Sequence, residues 1–249
     1  MTELSPAADE VSVSNPFARI VTVMTAPSKA FADVKKSSGW WAPFVVASVV
    51  GLIYAYVLLH AVGLPTLVDQ VIHNSPSMEQ RIASATPEDA AKIRHQIEFN
   101  FKLSYIAPVI SLVAGLACAG IFLASANFGA GGKSTYGQML GVWFYGTLPI
   151  TVYTLLVIAG IYAGVASDPF NINNAIGTNP GFYLTDSELP KTLVALLSAI
   201  DIFSIWTAAL LAIGISTVAG IKRGVAWAIV LGWWLIYVLL LKVTPAAFG

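Results

Sequence analysis

Five stretches of this chain are apolar for the length of a membrane crossing: 42–64, 103–126, 138–166, 192–218 and 225–243. An α-helix rises 1.5 Å per residue and the hydrocarbon core of a bilayer is ~30 Å thick, so about 20 apolar residues suffice to span it. Each stretch approaches or exceeds that length. Within lipid, backbone polar groups must be satisfied inside the segment, which for runs this long means helices. The pattern therefore predicts an all-α, polytopic membrane protein, a bundle of five transmembrane helices. Composition agrees, with 57% hydrophobic and only 10% charged residues among 249, against about 25% charged in soluble domains. The formal net charge is zero, so the global basic field of a nucleic-acid binder is missing and no such partner is expected.

Ahead of the first span, residues 1–14 are polar and read as a disordered tail, leaving 15–249 as a single membrane domain. The first forty residues lack a short apolar core with a cleavage site, so no signal peptide is expected and the first apolar run is a true span. Asn15-Pro16 is a helix start, after which Phe17, Ile20, Val21 and Met24 keep helical spacing. Beyond Pro27 a second short helix sets Phe31 and Val34 against Lys29, Lys35 and Lys36. Two readings stand: an amphipathic pair lying on the membrane surface, or two short helices packed on the spans. Trp40-Trp41 then enters the first span as an aromatic anchor.

The loop 65–102 carries two helix starts, Ser75-Pro76 and Thr86-Pro87-Glu88-Asp89, and its second helix is expected to run into the second span. The loop 167–191, rich in Asn, Gly and Asp, reads as turns without regular structure. Pro108 and Pro149 lie inside apolar runs and predict kinks. Cys118, the one cysteine, sits between Ala117 and Ala119 and reads as a packing thiol. Orientation follows from Lys222-Arg223, held in the tight turn between the last two spans, together with Lys35, Lys36 and Lys133. Positive charge favours the cytoplasmic side, so the N-terminus is expected inside and the C-terminus outside, in the cytoplasmic (inner) membrane of a prokaryote. These five basic residues form a candidate cytoplasmic contact surface.

Chemistry-bearing motifs are few. The run from Gly129 to Thr135 resembles a phosphate-binding loop, but that motif needs Gly five positions before Gly132, where this chain has Asn127, and it needs a strand before it. It reads as a tight turn instead. His60, His73 and His95 show no metal-ligand spacing, and there is no Gly-x-Ser-x-Gly elbow and no intramembrane carboxylate pair. No catalytic residue, metal or cofactor is expected.

The anomaly is Asp201, inside the fourth apolar run. A carboxylate at a helix centre costs ~2.5–3.5 kcal/mol, and each large aliphatic neighbour returns ~0.3–0.6, so the segment still inserts. In a continuous helix Ser204, Ala208, Ala212 and Ser216 share its face, a small-residue stripe suited to close packing. Ser111, Gly115 and Ala119 make a similar stripe on the second span, and Gly160 and Gly164 on the third. Asp201 thus points into protein. Its expected partner is either His60, within about 5 Å of it in height, or hydroxyls from neighbouring helices. Asp201, His60 and Ser204 form the candidate intramembrane polar site.

Taken in order, Ala26-Pro27-Ser28-Lys29-Ala30-Phe31, Trp41-Ala42-Pro43, the turn Gly131-Gly132-Lys133-Ser134-Thr135-Tyr136 leading to Tyr145-Gly146-Thr147-Leu148-Pro149, and Ile200-Asp201-Ile202-Phe203-Ser204-Ile205-Trp206 resemble the Yip (Ypt-interacting protein) domain family in its prokaryotic branch. The resemblance implies a five-span membrane protein. Eukaryotic members bind prenylated Rab-type GTPases and help organise vesicle traffic. This chain has a shorter N-terminal region and lacks their Asp-Leu-Tyr-Gly-Pro element, so no GTPase partner is carried over. Two functional readings follow. One is a non-enzymatic protein that organises the membrane, protein partners or its own copies; the other is a small proton- or cation-coupled transporter or channel using Asp201.

Overall fold

A computed structural model describes residues 14–166, 170–172, 174–184, 189–244 and 246. The tail expected over 1–14 lies, Ser14 apart, outside them. Twelve α-helices and no strand occur among the described residues. Two short helices, α1 (Pro16–Thr25) and α2 (Pro27–Lys36), precede the first span. That span is α3 (Trp41–Val57), which passes through a π-helical stretch, Leu58–Gly63, into α4 (Leu64–His73). After α5 (Pro76–Ala83), α6 (Pro87–Lys102) runs through a 3-10 turn into α7 (Ala107–Ala124), the second span. The third span is α8 (Tyr136–Gly146) and α9 (Leu148–Ala163). A short α10 (Lys191–Ala199) precedes α11 (Ile202–Ala219) and α12 (Arg223–Val238), the fourth and fifth spans.

Five helical runs are long and apolar enough to cross a membrane: Trp41–His73, Pro87–Gly129, Tyr136–Ala163, Ile202–Ala219 and Arg223–Val243. The five-span, all-α expectation holds. The first two runs overshoot the bilayer because α4 and α6, from the loop between them, continue the spans, and Val68, Ile72 and Ile97 from these two helices close a small core of their own there. The kink expected at Pro149 falls at Thr147, where ψ is 0° and α8 gives way to α9. Pro108 instead opens α7, in the first turn, where no backbone donor is needed.

One expectation is corrected. The fourth apolar run is not a continuous helix over 192–218: the backbone leaves helical geometry at Ile200 (φ −85°, ψ 68°) and Asp201 (φ −100°, ψ 145°), and α11 starts only at Ile202. Eighteen residues still give ~27 Å of rise, close to the hydrocarbon thickness.

The core gathers around α11, which is buried over 50% of its length, against 17% for the most apolar stretch of the second or fifth span. It packs on α2, α8, α9 and α12. Its small residues allow this, as expected from the stripe: Ala208 and Ala212 are buried, and a Cβ on Gly214 would stand 2.8 Å from Val142 and 2.9 Å from Phe31. On the second span Gly115 meets the Phe144 ring in the same way and Ala119 is fully buried, whereas Ser111 is exposed.

Of the two readings of the N-terminal helices, the structure shows packing on the spans. Val23, Ala30, Phe31 and Val34 are fully buried in the main core, with Phe31 lodged between α8 and α11. Phe17 and Val21 remain exposed on the outer face of α1, and Phe17 meets the ring of Trp41 edge-on at 5.3 Å.

Candidate functional site

Arg19 is a charged residue inside the core. Its side chain on α1 is fully buried and has no carboxylate partner among the described residues. The guanidinium donates instead to the carbonyls of Ser37 (2.6 Å), Ser38 (3.3 Å) and Ser14 (3.1 Å). Its Cζ stands 5.6 Å from the centroid of the Tyr145 ring. An isolated charge in an apolar interior is costly, and carbonyl dipoles with an aromatic face offset that cost. Tyr145 in turn donates its hydroxyl to the carbonyls of Pro16 (2.8 Å) and Gly39 (3.2 Å). One Arg–Tyr pair thereby ties both ends of the α1–α2 hairpin to the third span. The sequence pattern does not single out Arg19; the available signal is its position as the sole charged residue of an otherwise uncharged helix.

Asp201 lies at the opposite end of α11 and caps it. One carboxylate oxygen accepts from the Phe203 N–H (2.8 Å) and the other from the Thr178 hydroxyl. An acid at this position satisfies an orphan backbone donor and complements the helix dipole, so it escapes the penalty of a mid-helix charge. The same loop residue takes the Ile202 N–H on its carbonyl (3.3 Å). The described part of the loop that read as irregular is cross-braced and hydrogen-bonded to the start of the fourth span. Asn179 donates to Asn174 (3.0 Å), Asn174 donates to Ser198 (3.1 Å), and both asparagines are buried. These contacts to Ser198, Asp201 and Ile202 are what interrupt the apolar run.

Asp201 is not brought to His60. That imidazole sits on the π-helical stretch, exposed, with Nδ1 2.9 Å from the Tyr56 carbonyl and its ring stacked on Tyr56 at 4.1 Å. Ser204 is partly buried one turn into α11 and is not among the partners of the carboxylate. Of the two expected kinds of partner, the structure supplies a hydroxyl, from a loop rather than a helix.

The five basic residues gather at one end of the bundle. The Lys133 N–H donates to the carbonyl of Ala219 (3.0 Å), which sets it beside the turn carrying Lys222 and Arg223. The Gln138 side chain donates to the Lys35 carbonyl (2.7 Å) and ties the end of α2 to the start of α8. All five side chains are exposed. The turn below them is held by Asn127. Its amide donates to the Ser134 carbonyl (2.8 Å), and its oxygen accepts from the Ser134 N–H (3.1 Å) and hydroxyl (2.8 Å). The residue that departs from the phosphate-loop pattern thus helps to close the turn, together with the Gly132 N–H, which donates to the Ala126 carbonyl (2.9 Å). A π-helical stretch, Ser125–Gly129, precedes it where a nucleotide site would need a strand.

Comparison with known proteins agrees with this architecture. The chain is 25% identical over 205 residues to the membrane protein YknW of Bacillus subtilis (strain 168), covering 82% of this chain and 80% of that protein. No solved structure matches it. Residues 21–243 match the Yip1 domain, a region reaching from the buried α1–α2 hairpin to the end of the fifth span. The protein is a prokaryotic-type, multi-pass integral membrane member of the Yip1 domain family.

Proposed function

We infer that this protein is a non-enzymatic membrane organiser that holds a partner protein, or further copies of itself, at the cytoplasmic face of the bilayer. The observation that carries this reading is the built basic end: Lys35 and Lys36 on the docked hairpin, Lys133 in the clasped turn, and Lys222 with Arg223 in the next. Three separate chain segments are held there, one by the Gln138 side chain on the Lys35 carbonyl and two by the backbone bond from Lys133 to Ala219, and their charged ends are left in solvent. The excess of basic residues supports placing that end in the cytoplasm, which sets the N-terminus inside and, after five crossings, the C-terminus outside. Transport through Asp201 has no comparable support, since both carboxylate oxygens are engaged in capping α11 and holding the loop.

Site-specific photo-crosslinkers at Lys35, Lys133 and Arg223 in native membranes test the reading. A discrete adduct at two or more of these positions, absent from crosslinkers on the lipid-facing side of α7, is the expected result. Recovery of the chain alone at every position overturns it.

A further inference from the structure

Six cations stand exposed at the basic end: Lys29, Lys35, Lys36, Lys133, Lys222 and Arg223. None of them pairs with a carboxylate among the described residues, where every ion pair lies between Asp69 and Lys102, one membrane crossing away. The acidic residue of the α1–α2 hairpin, Asp33, is taken up by the Ser14 hydroxyl. The turns carrying Lys133, Lys222 and Arg223 contain no acid at all. A fixed, uncompensated positive surface of this kind attracts an anionic partner.

An anionic segment is attached directly beside it. Residues 1–13 carry Glu3, Asp9 and Glu10 and no Lys, Arg or His. Their point of attachment is set by Ser14, whose hydroxyl is held by Asp33 on α2 and whose carbonyl accepts from Arg19 Nη2 (3.1 Å). The other arm of that guanidinium donates to the Ser37 carbonyl (2.6 Å), so the segment joins the folded body next to Lys35 and Lys36. An extended chain advances at most ~3.6 Å per residue, which puts Asp9 and Glu10 within about 18 Å of Ser14 and Glu3 within about 40 Å. On the receiving side, Gln138 is bonded to the Lys35 carbonyl (2.7 Å) and Lys133 to the Ala219 carbonyl (3.0 Å). Lys133 stands no more than about 18 Å of chain from Gln138, so both basic turns are within reach of Glu3.

We propose that the acidic segment 1–13 is an intramolecular cover for the basic end, with Asp9 and Glu10 on Lys35 and Lys36, and Glu3 on Lys133 and the Lys222-Arg223 turn. Tethering holds the segment at an effective concentration of about millimolar, so it occupies the surface without a tailored pocket. Each exposed ion pair is individually weak and screened by salt. A partner with more negative charge therefore displaces the cover. This consequence rests on the reading of the basic end as a contact surface, to which it adds a closed state.

Zero-length carbodiimide crosslinking tests the cover, on the purified full chain in phosphatidylcholine nanodiscs, with isotope-labelled and unlabelled chains mixed to separate links within a chain from links between chains. Expected are links within one chain from Asp9 or Glu10 to Lys35 or Lys36, and from Glu3 to Lys133 or Lys222, lost at high salt. The triple variant E3Q/D9N/E10Q leaves the folded body untouched. It should speed acylation of Lys35, Lys36 and Lys133 by a water-soluble succinimidyl ester up to about five-fold, the equivalent of one or two exposed ion pairs, with Lys92 unchanged. Links from these lysines to Asp33 alone, tail links found only between chains, or acylation rates unaltered by the variant overturn the proposal. So does protection that is equal in parent and variant and arises only when phosphatidylglycerol is added, which would make lipid headgroups the cover. Because the purified chain is used, missing tail links overturn the cover and leave the partner reading standing, whose own failure shows in the native-membrane photo-crosslinking.

Discussion

The Tyr145 hydroxyl donates to the carbonyls of Pro16 and Gly39, which flank the α1–α2 hairpin, while its ring lies 5.6 Å from the buried Arg19 guanidinium. The hairpin is therefore held to the third span by this polar pair and by the Gln138 bond to the Lys35 carbonyl, as well as by the burial of Phe31 and Val34.

Replacing the hydroxyl alone should loosen the hairpin without unfolding the spans. Y145F keeps the ring beneath Arg19 but leaves two carbonyls without their donor, a cost of ~1–3 kcal/mol. R19K should cost more, because a single ammonium cannot reproduce the fork that reaches three carbonyls. Limited trypsin digestion checks this: cleavage after Lys29, Lys35 and Lys36 should accelerate in both variants while the five spans stay protected. Unchanged digestion would mean that the Arg19–Tyr145 pair does not hold the hairpin and that apolar packing with the Gln138–Lys35 bond suffices.

At the other end of the bundle, Asp201 should behave as a cap rather than as a charge. Asparagine caps helices about as well as aspartate, so D201N should be nearly neutral, whereas D201A should cost ~1 kcal/mol and release Thr178. H60A and D201A should add within ~0.5 kcal/mol, because the two side chains share no partner. Thermal unfolding of the single and double variants in detergent measures both quantities, and a large coupling term would reinstate the His–Asp pair.

These two sites show how far the residues alone lead. The five spans were legible because lipid demands long uninterrupted apolar runs, and the small-residue stripe through Ala208 and Ala212 was legible because helical period is regular. The break at Ile200–Asp201 was not. No Pro or Gly marks it, and it is imposed by Thr178, Asn174 and Asn179 from a loop whose folding depends on tertiary contacts. Asp201 stands out in the sequence as a charge within an apolar run, but the cost of a mid-helix charge does not apply to it, because it occupies the N-cap of α11. Arg19 was passed over for the converse reason: a basic residue near a membrane surface is expected to be solvated, and nothing local shows that the carbonyls of Ser37 and Ser38, on the far side of the hairpin, enclose it.

The contact between Phe31 and Gly214 should be a coupled pair. F31A opens a void in a fully buried site and should cost ~3–5 kcal/mol. G214V places methyl groups where Phe31 and Val142 already stand and should cost ~1–3 kcal/mol. The double variant should be less destabilised than the two costs combined, because the new side chain occupies part of the space that Phe31 leaves. Unfolding midpoints of the three variants decide it, and simple additivity would place Phe31 elsewhere than against α11.

The clasp made by Asn127 permits a sharper test of what the glycine-rich turn is for. N127G completes the spacing of a phosphate-binding loop, with glycine five positions before Gly132-Lys133-Ser134, so on the sequence pattern alone the variant should gain nucleotide binding. The structure gives the opposite expectation. The segment before the turn is the π-helical end of the second span rather than a strand, and the three hydrogen bonds between Asn127 and Ser134 brace the turn beside the backbone bond from Gly132 to Ala126. N127G should bind no fluorescent ATP or GTP analogue and should open the turn. A cysteine at position 134 would then react several-fold faster with a water-soluble thiol reagent than in the parent, as expected for loss of ~1 kcal/mol or more of hydrogen bonding. Saturable nucleotide binding by the variant would show that a phosphate site is latent here and that Asn127 suppresses it.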